Sequence, residues 1–397
     1  MIADSKEVKE WELAINLQPD EIEAKVLKRP SIMNVGGATL HNLEDTNILR
    51  QIVCQPMNFE KWAIFCLEKD IENGKYLQDK FYALSESFGL NIFVDYGDIV
   101  SLHNKSSVED FKDAINQYFR DSCDPKAKKA SGAPAVQFFL VIIPDFVKQE
   151  IFYTQIKNKI NSDNPIISQF VTAKTINRDN DRIYLNIVRQ INAKLGGDLW
   201  RMNFGPEISN KTMLVGIDVC HKGKQSIIGF VATYDQYMCK YYTQASNQGQ
   251  KGQEIISSNI LQEYFGSALQ AYRDFNGGSL PDHIFIYRDG VGDSMRQKVI
   301  DFELDQLKKI LRDEYDPKNE GIPLPHTTLI IVNKRVRQRF FEKQAEQGSH
   351  TAHILNPPQG TYVDHGFVEQ AEVVEGRFDF FLVPHSRSEE HTSELQS

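Results

Sequence analysis

The chain of 397 residues is 41% hydrophobic and 25% charged, which is typical of a soluble globular protein and unlike a disordered or fibrous one. Because single hydrophobic cores stop growing near roughly 250 to 300 residues, this length predicts two or three domains. The formal net charge of -9 argues against a protein that coats nucleic acid indiscriminately, since phosphate contacts require Lys and Arg.

The sequence predicts neither a signal peptide nor a membrane span. No apolar run approaches the roughly 18 residues that a membrane helix needs, and the acidic, polar N-terminus is unlike a signal peptide. The cysteines are widely spaced without a C-x-x-C pair, which predicts free thiols in a reducing compartment: Cys54, Cys66, Cys123, Cys220 and Cys239. We therefore expect an intracellular protein of the cytoplasm or nucleus, with no membrane partner.

The chain begins with a polar, irregular stretch over residues 1–56, interpreted as a linker segment. Strands and helices then alternate over 57–202, which predicts a doubly wound α/β domain. The predicted strands are 62–68, 91–96, 135–144 and 166–172, and the predicted helices are 75–87, 108–120, 148–160 and 182–195. The third strand is nearly all apolar, as expected for a strand that is buried on both faces of a parallel sheet.

A second domain is predicted over residues 203–386. Its predicted elements are three consecutive strands at 212–220, 226–235 and 240–245, a helix at 253–275, a strand at 282–290, a helix at 293–315 and a strand at 327–333. Three strands in a row followed by alternating helix and strand is the order of the ribonuclease H fold. Periodicity alone leaves other α+β folds open.

Two aspartates stand at the ends of apolar strands. Asp218 follows MLVGI and Asp289 follows IFIYR, where Asp-Gly is also a common turn. A carboxylate inside a Val/Ile run is costly to bury unless it is paired or binds a cation. If the two strands are neighbours, both acids converge at one edge of the sheet. Hard divalent cations prefer such oxygen ligands and, held about 4 Å apart, can hydrolyse a phosphodiester.

Two basic stretches offer local sites for nucleic acid despite the net negative charge. One spans residues 151–200, and the other consists of Lys334, Arg335, Arg337, Arg339 and Lys343. The alternative interpretation of each stretch is an ordinary solvated face.

Five segments, in this order and spacing, resemble the PIWI domain of Argonaute proteins: GIDVCHKGKQSIIGFVATYD, GQEII, IYRDGVGD, VNKRVRQRFF and NPPQGTYVDHGFVEQ. NKRVRQRFF is similar to the PIWI clade in particular, and the resemblance runs from about Arg29 to Ser386. It implies a Rossmann-like MID domain at 57–202 and a ribonuclease-H-like PIWI domain at 203–386. Residues 1–56 then resemble the linker that follows the PAZ domain, so we expect Met1 to lie inside a longer natural protein.

The resemblance implies a catalytic set for cleavage of RNA. Asp218 and Asp289 are the implied aspartates and ligands of Mg²⁺ or Mn²⁺, and Glu254 in GQEII is the implied glutamate on a mobile loop. From the residues alone, Glu254 can also be a solvent-facing residue in the first turn of a helix, where a carboxylate suits the helix dipole.

The fourth catalytic position of the family lies downstream of FLVPHS, and neither His221 nor His385 matches it. Residues 387–397 match the translation of a common sequencing adapter, so we expect this tail to be an artefact. We accordingly expect this chain to cleave poorly or not at all.

The resemblance also implies a pocket for the 5′ phosphate of a guide RNA. Its five residues in this chain are Tyr153, Lys157, Gln169, Gln190 and Lys194. A tyrosine ring can stack under a base, and Lys and Gln can bind phosphate oxygens. Individually, each is also readable as an exposed helix side chain. The glutamine at Gln190 resembles the residue of the PIWI clade, in which a bound cation assists phosphate binding. The C-terminal carboxylate that reaches this pocket in the family is absent from this chain, which implies weaker binding of the 5′ phosphate.

Two function hypotheses follow. The first is a small-RNA-guided endonuclease, with a piRNA-like guide and complementary target RNA as partners. The alternative is a guide-loaded RNA-binding module that silences through partner proteins without cleavage. Retention of Asp218, Glu254 and Asp289 favours the first.

Overall fold

The computed structural model describes the fold in a set of ranges, and the statements below concern these residues. They are 10–11, 19–28, 31–33, 39–40, 53–92, 97–123, 136–145, 147–176, 180–250, 254–289, 291–318, 320–334, 336–345, 352–366, 368 and 378–384. The described residues fall into two compact units, one within Pro30–Val336 and one that combines Met1–Arg29 with Arg337–Glu390.

Strands and helices are numbered here in chain order. The strands are β1 Lys25–Val26, β2 Ser31–Met33, β3 Thr39–Leu40, β4 Trp62–Leu67, β5 Gly97–Leu102, β6 Phe138–Ile143, β7 Ile167–Thr172, β8 Arg201–Asn203, β9 Thr212–Lys222, β10 Gln225–Thr233, β11 Tyr241–Gln250, β12 His283–Asp289, β13 His326–Val332, β14 Glu342–Ala345, β15 Ala352–Leu355, β16 Thr361–Val363 and β17 Phe381–Leu382. The helices are α1 Ile71–Phe88, α2 Val108–Cys123, α3 Gln149–Asp163, α4 Ala173–Ile176, α5 Asp181–Lys194, α6 Ser258–Phe275, α7 Arg296–Lys298 and α8 Asp305–Tyr315.

The first domain is built on a parallel sheet of order β5-β4-β6-β7. Both central strands are fully buried, and alternate side chains enter two different cores. Helices α1 and α5 cover one face of the sheet, and α2 and α3 cover the other. The predicted doubly wound α/β domain, with 135–144 as a strand buried on both faces, is confirmed.

One strand of this sheet lies later in the chain than predicted. The aromatic and β-branched segment 91–96 predicted a strand; its residues 93–96 lie outside the described ranges, and Ile92 forms an isolated bridge with Phe59. The strand that pairs with β4 is β5, which starts at Gly97. A Cβ at Gly97 would lie 2.9 Å from the Trp62 ring, so this close approach requires glycine.

The second domain contains a five-stranded sheet of order β11-β10-β9-β12-β13. Strands β9, β10 and β11 form an antiparallel meander, whereas β9, β12 and β13 are parallel. One face packs on α6 and α8 around a core that includes Val215, Phe230 and Leu269. This is the predicted ribonuclease-H-like order, and it brings the end of β12 beside the middle of β9.

Two helices differ in detail from the prediction. The predicted helix at 253–275 starts only at Ser258, so Glu254 lies on the preceding loop rather than in the first helical turn. The predicted helix at 293–315 contains a 3-10 turn at Asp293–Met295, and its segment Val299–Leu304 has π-helical hydrogen bonding. No helix in the described ranges has the length and apolar character needed to cross a membrane.

The smaller unit is made of short strands. β1, β16 and β17 form one antiparallel sheet, and β14 pairs with β15. β17 lies in the apolar segment FDFFLVPHS.

Candidate functional site

A cavity of about 460 Å³ opens between α3, the start of β7 and the end of α5. Its polar lining residues are Lys157, Asn161, Ser168 and Lys194, and its apolar ones are Pro165, Ile166 and Ile167. Two lysines and no acidic residue line this space, here called the basic cavity, so its electrostatic character suits an anion.

Four of the five predicted guide-binding residues form one hydrogen-bonded network beside the basic cavity. Lys194 Nζ donates to Gln169 Oε1 at 2.9 Å, and Gln169 Nε2 donates to Gln190 Oε1 at 2.9 Å. Gln169 is fully buried on β7, so these contacts satisfy an amide that would otherwise be costly to bury. Lys157 joins the network through Ser168.

Ser168 is the shared contact of the two lysines, and the sequence interpretation missed it. Lys157 Nζ donates to Ser168 Oγ at 2.8 Å, and Lys194 Nζ donates to the Ser168 main-chain oxygen at 2.9 Å. Because Ser168 is 1% exposed, it holds two ammonium groups from different helices at a fixed place. Its only signal in the sequence was its position directly before Gln169.

Tyr153, the fifth predicted residue, lies one helical turn before Lys157 on α3. Its half-buried ring packs edge-on against Phe170, with ring centroids 4.8 Å apart and planes at 74°. Asn161 continues the same i, i+4 spacing into the cavity lining. The structure therefore brings all five predicted residues to one region.

A second cavity, of about 490 Å³, lies beside the middle of β9 and the carboxyl end of β12. Asp218, Asp289 and Lys334 line it, together with Gly229 and Tyr287 among others. It is here called the acidic cavity. Ile217 and Arg288 are register partners on adjacent parallel strands, so the next residues, the two aspartates, stand side by side. The convergence expected if the strands were neighbours is observed.

Asp218 is exposed, which corrects the argument that its carboxylate is buried within an apolar run. Strand alternation turns Ile217 and Val219 into the core and Asp218 to the open face of the sheet. Gly229 is its partner across the ladder and adds no side chain above it. The burial penalty is therefore absent, and the carboxylate is accessible from the cavity.

Lys334 is the basic residue of this cavity. Its Nζ lies 2.5 Å from Asp289 Oδ2, with side-chain exposures of 57% and 23%. In the predicted basic cluster, Lys343 is ion-paired with Glu21, and Arg335 lies outside the described ranges. Two members of the cluster thus have acidic partners.

Glu254 is not among the residues that line the acidic cavity. Its Oε1 lies 2.5 Å from His221 Nε2, while its Oε2 is buried without a hydrogen-bond partner in the described structure. Among the described residues, no group of three His, Cys, Asp or Glu side chains is close enough to hold a metal ion. The structure therefore brings two of the three predicted acids together, and their catalytic roles remain predictions.

The loop that carries Glu254 is hydrogen-bonded to side chains of β9 and β12. His221 follows Asp218 on β9, and Arg288 Nη2 donates to the Glu254 main-chain oxygen at 2.6 Å. Arg288 Nη1 also donates to the Asp289 main-chain oxygen at 2.6 Å. Arg288 was not among the predicted site residues, although strand alternation turns its charge inward beside Asp289 and so signals a buried partner.

Among the cysteines whose side chains the structure describes, Cys54, Cys66, Cys220 and Cys239 are free thiols, as predicted. The side chain of Cys123 lies outside the described structure, as do His385 and the whole of 387–397.

Comparison with known proteins identifies the family. A family model described as the Piwi domain matches residues 138–395. The chain is 36% identical over 368 residues to Piwi-like protein Ago3 of Bombyx mori, covering 89% of this chain and 35% of that protein. It is 28% identical over 389 residues to Piwi-like protein 1 of Gallus gallus, covering 95% and 40%. The chain thus spans well under half the length of these relatives.

Solved structures agree on the fold. Drosophila Piwi matches with a TM-score of 0.70 at 20% identity, covering 92% of this chain and 45% of that one. Kluyveromyces polysporus Argonaute, solved with a guide RNA, matches with a TM-score of 0.66 at 18% identity, covering 86% and 44%. The MID-PIWI domains of N. crassa QDE-2 match with a TM-score of 0.59 at 22% identity, covering 70% and 75%. The chain therefore belongs to the Piwi domain family, with the MID and PIWI fold of Argonaute proteins.

Proposed function

We propose that this chain is the guide-anchoring and target-facing part of a small-RNA-guided silencing protein. The basic cavity binds the 5′ phosphate of a piRNA-like guide, and the acidic cavity faces complementary target RNA. The main support for the guide-binding role is that Lys157 and Lys194, from two different helices, both donate hydrogen bonds to Ser168. Family membership and the guide RNA held by Kluyveromyces polysporus Argonaute support the proposal.

Two ammonium groups fixed in this way suit a terminal phosphate. Charge-assisted hydrogen bonds to phosphate are shorter and stronger than neutral ones, and a monophosphate presents several oxygens at once. The side-chain hydrogen bonds from Gln169 to Gln190 and from Lys194 to Gln169 keep Lys194 in place. Tyr153, braced against Phe170, offers a ring face for the first base.

Guide binding is tested with two RNAs of identical sequence, one with a 5′ phosphate and one with a 5′ hydroxyl. Lys157→Ala and Lys194→Ala should each weaken binding of the phosphorylated RNA by about tenfold, the scale of a lost charged hydrogen bond. Lys159→Ala is the control, because Lys159 lies on the same helix and pairs with Asp163. Equal binding of both RNAs by the unmodified chain would refute the 5′-phosphate assignment.

For the acidic cavity we propose metal-dependent hydrolysis of the target RNA. Asp218 and Asp289 would hold Mg²⁺ or Mn²⁺, and the buried, unpartnered Oε2 of Glu254 is a third oxygen that needs a partner. This all-oxygen donor set suits hard divalent cations. Such ions, when bound, activate a water molecule and stabilise the leaving oxygen of a phosphodiester.

The protein's own contribution is placement. Adjacent strands hold the two carboxylates on the open face of the sheet, where a phosphodiester can approach. His221 and Arg288 hold the Glu254 loop against the same strands. Cleavage would leave a 3′ hydroxyl and a 5′ phosphate.

A guide-loaded module that silences through partner proteins without cutting is the second candidate. It is favoured by one observation, namely that Glu254 does not line the cavity that holds the two aspartates. Asp218→Ala in the full-length protein separates the two functions, because a nuclease would lose cleavage and keep guide binding, whereas a binder would keep target repression. Asp282→Ala, at the opposite end of β12, is the matched control and should change neither activity.

A further inference from the structure

We propose that Lys334 is an exchangeable counter-ion of the acidic cavity: its ammonium group neutralises Asp289 until a divalent cation displaces it. The inference rests on the proposed metal-dependent function of the same cavity. Lys334 is not in the predicted catalytic set. The role proposed here also differs from the contact with nucleic acid that was predicted for it as a member of the basic cluster.

The register of the sheet places the two groups together. Asp289 is the last residue of β12, and its register partner on β13 is Val332. Lys334 lies two residues beyond Val332, the last residue of β13. The ammonium group consequently reaches the carboxylate, with Nζ 2.5 Å from Oδ2, inside the cavity that Asp218 also lines.

Because of this geometry, Lys334 and a divalent cation would compete for the Asp289 carboxylate. The Oδ2 atom that contacts Lys334 is one of the oxygens that a cation between the two aspartates would use. Two carboxylates and one ammonium group leave a net charge of -1, whereas a divalent cation can neutralise both carboxylates. The cation therefore gains electrostatic energy when it replaces the lysine.

The exposure of Lys334 makes the exchange feasible. With 57% of its side chain exposed, Lys334 can move into solvent without leaving a buried charge behind. Exposed ion pairs contribute little to stability, so the contact is a weak barrier to the incoming cation. On its flexible four-carbon stem, the displaced ammonium group remains near the cavity mouth, where the phosphodiester of a target would lie.

Lys343 provides a matched control. It is 61% exposed and also forms an ion pair with a carboxylate, that of Glu21, but it does not line the acidic cavity. Each substitution therefore removes the ion pair of a mostly exposed lysine, with Glu21 74% exposed and Asp289 23% exposed, and only Lys334 loses a pair with a proposed metal ligand.

The first measurement is binding of Mn²⁺ alone to the full chain, followed by electron paramagnetic resonance. Lys334→Gln should bind Mn²⁺ about two- to fivefold more tightly, on the scale of an exposed ion pair. Lys343→Gln should bind as the unmodified chain does. If Asp218→Ala abolishes Mn²⁺ binding but Lys334→Gln binds Mn²⁺ as tightly as the unmodified chain or more weakly, the metal site stands and the role of Lys334 alone is overturned.

The second measurement follows Lys334 directly. Amine acetylation read by mass spectrometry should increase at Lys334 when Mn²⁺ is added and stay constant at Lys343. In Asp289→Asn, Lys334 should react rapidly with or without Mn²⁺. Constant reactivity of Lys334 in an unmodified chain that binds Mn²⁺ overturns the exchange. Absence of Mn²⁺ binding, or binding that survives Asp218→Ala, overturns the proposed metal site and this inference together.

Discussion

Arg288 and Glu303 form an ion pair inside the second domain, with Arg288 Nε 2.9 Å from Glu303 Oε2 and side-chain exposures of 0% and 4%. Glu303 lies in the π-helical segment, and its Oε1 also accepts the main-chain N–H of Ile256 at 3.0 Å. The pair thus joins β12, the helical segment after it and the loop that carries Glu254. Buried ion pairs tolerate loss of one partner poorly, because the other charge is left unpaired.

Glu303→Gln should lower the free energy of unfolding by about 3–5 kcal/mol, the typical cost of leaving one buried charge unpaired. Denaturant unfolding of the full chain measures the change. Glu314→Gln is the control, since the Arg273–Glu314 pair is about a third exposed and should contribute only about 0–1 kcal/mol. Equal destabilisation by the two variants would contradict the buried pair.

Ser168→Ala should reduce the preference for 5′-phosphorylated guide RNA about fivefold, because Lys157 loses the hydroxyl that positions it. The readout is the ratio of the Kd values for the phosphorylated and hydroxyl RNAs. Ser85→Ala removes a comparable hydroxyl that donates to the Tyr82 main-chain oxygen on α1, and should leave the ratio unchanged. An equal loss for both RNAs would show that Ser168 supports only the fold.

The cysteines should differ sharply in reactivity. Burial raises the pKa of the Cys66 thiol to about 12 and that of Cys239 to about 11, whereas Cys220 is exposed on β9 beside the acidic cavity. At pH 8 the thiolate fraction of Cys66 is then about one in ten thousand, and the thiolate is the reactive form. Maleimide labelling of the folded chain should modify Cys220 first.

Labelling in denaturant provides the reference for complete modification. Raising the pH should accelerate reaction at Cys66 and Cys239, since their thiolates form only above the ordinary thiol range. Modification of Cys66 at the rate of Cys220 in the folded chain at pH 8 would be inconsistent with the buried position.

Asp70→Asn should stabilise the chain at neutral pH. Burial raises the pKa of Asp70, one of whose oxygens is buried without a hydrogen-bond partner, while the other accepts from Asn73. A carboxyl group with a raised folded-state pKa costs stability once the unfolded chain ionises, so the cost grows as the pH rises above 3.8. The amide keeps the acceptor for Asn73 without the charge.

Unfolding experiments at pH 7 and pH 3 check this sign. The gain from Asp70→Asn should be present at pH 7 and absent at pH 3, where both states of the chain are protonated. Asp79→Asn, at an exposed position of the following helix α1, should produce no comparable gain. A gain of equal size at both pH values would point to a cause other than the carboxylate charge.

Local sequence pattern was sufficient for most of the architecture. The apolar run of β6 indicated a strand buried on both faces, and the spacing of Tyr153 and Lys157 placed both on one face of a helix. These features depend on the repeat of a strand or helix, which the sequence displays directly. The strand order likewise indicated that Asp218 and Asp289 lie on neighbouring strands, although β9 continues past Asp218 to Lys222.

Only the tertiary structure decided which side chains meet. Position 97 requires glycine because the Trp62 ring approaches it, and Ser168 joins Lys157 to Lys194 because β7 lies between their helices. The position of Lys334 on Asp289 and the attachment of Glu254 to His221 likewise depend on packing between segments distant in the chain. Periodicity reports the face on which a residue lies, whereas its partner depends on how elements pack in three dimensions.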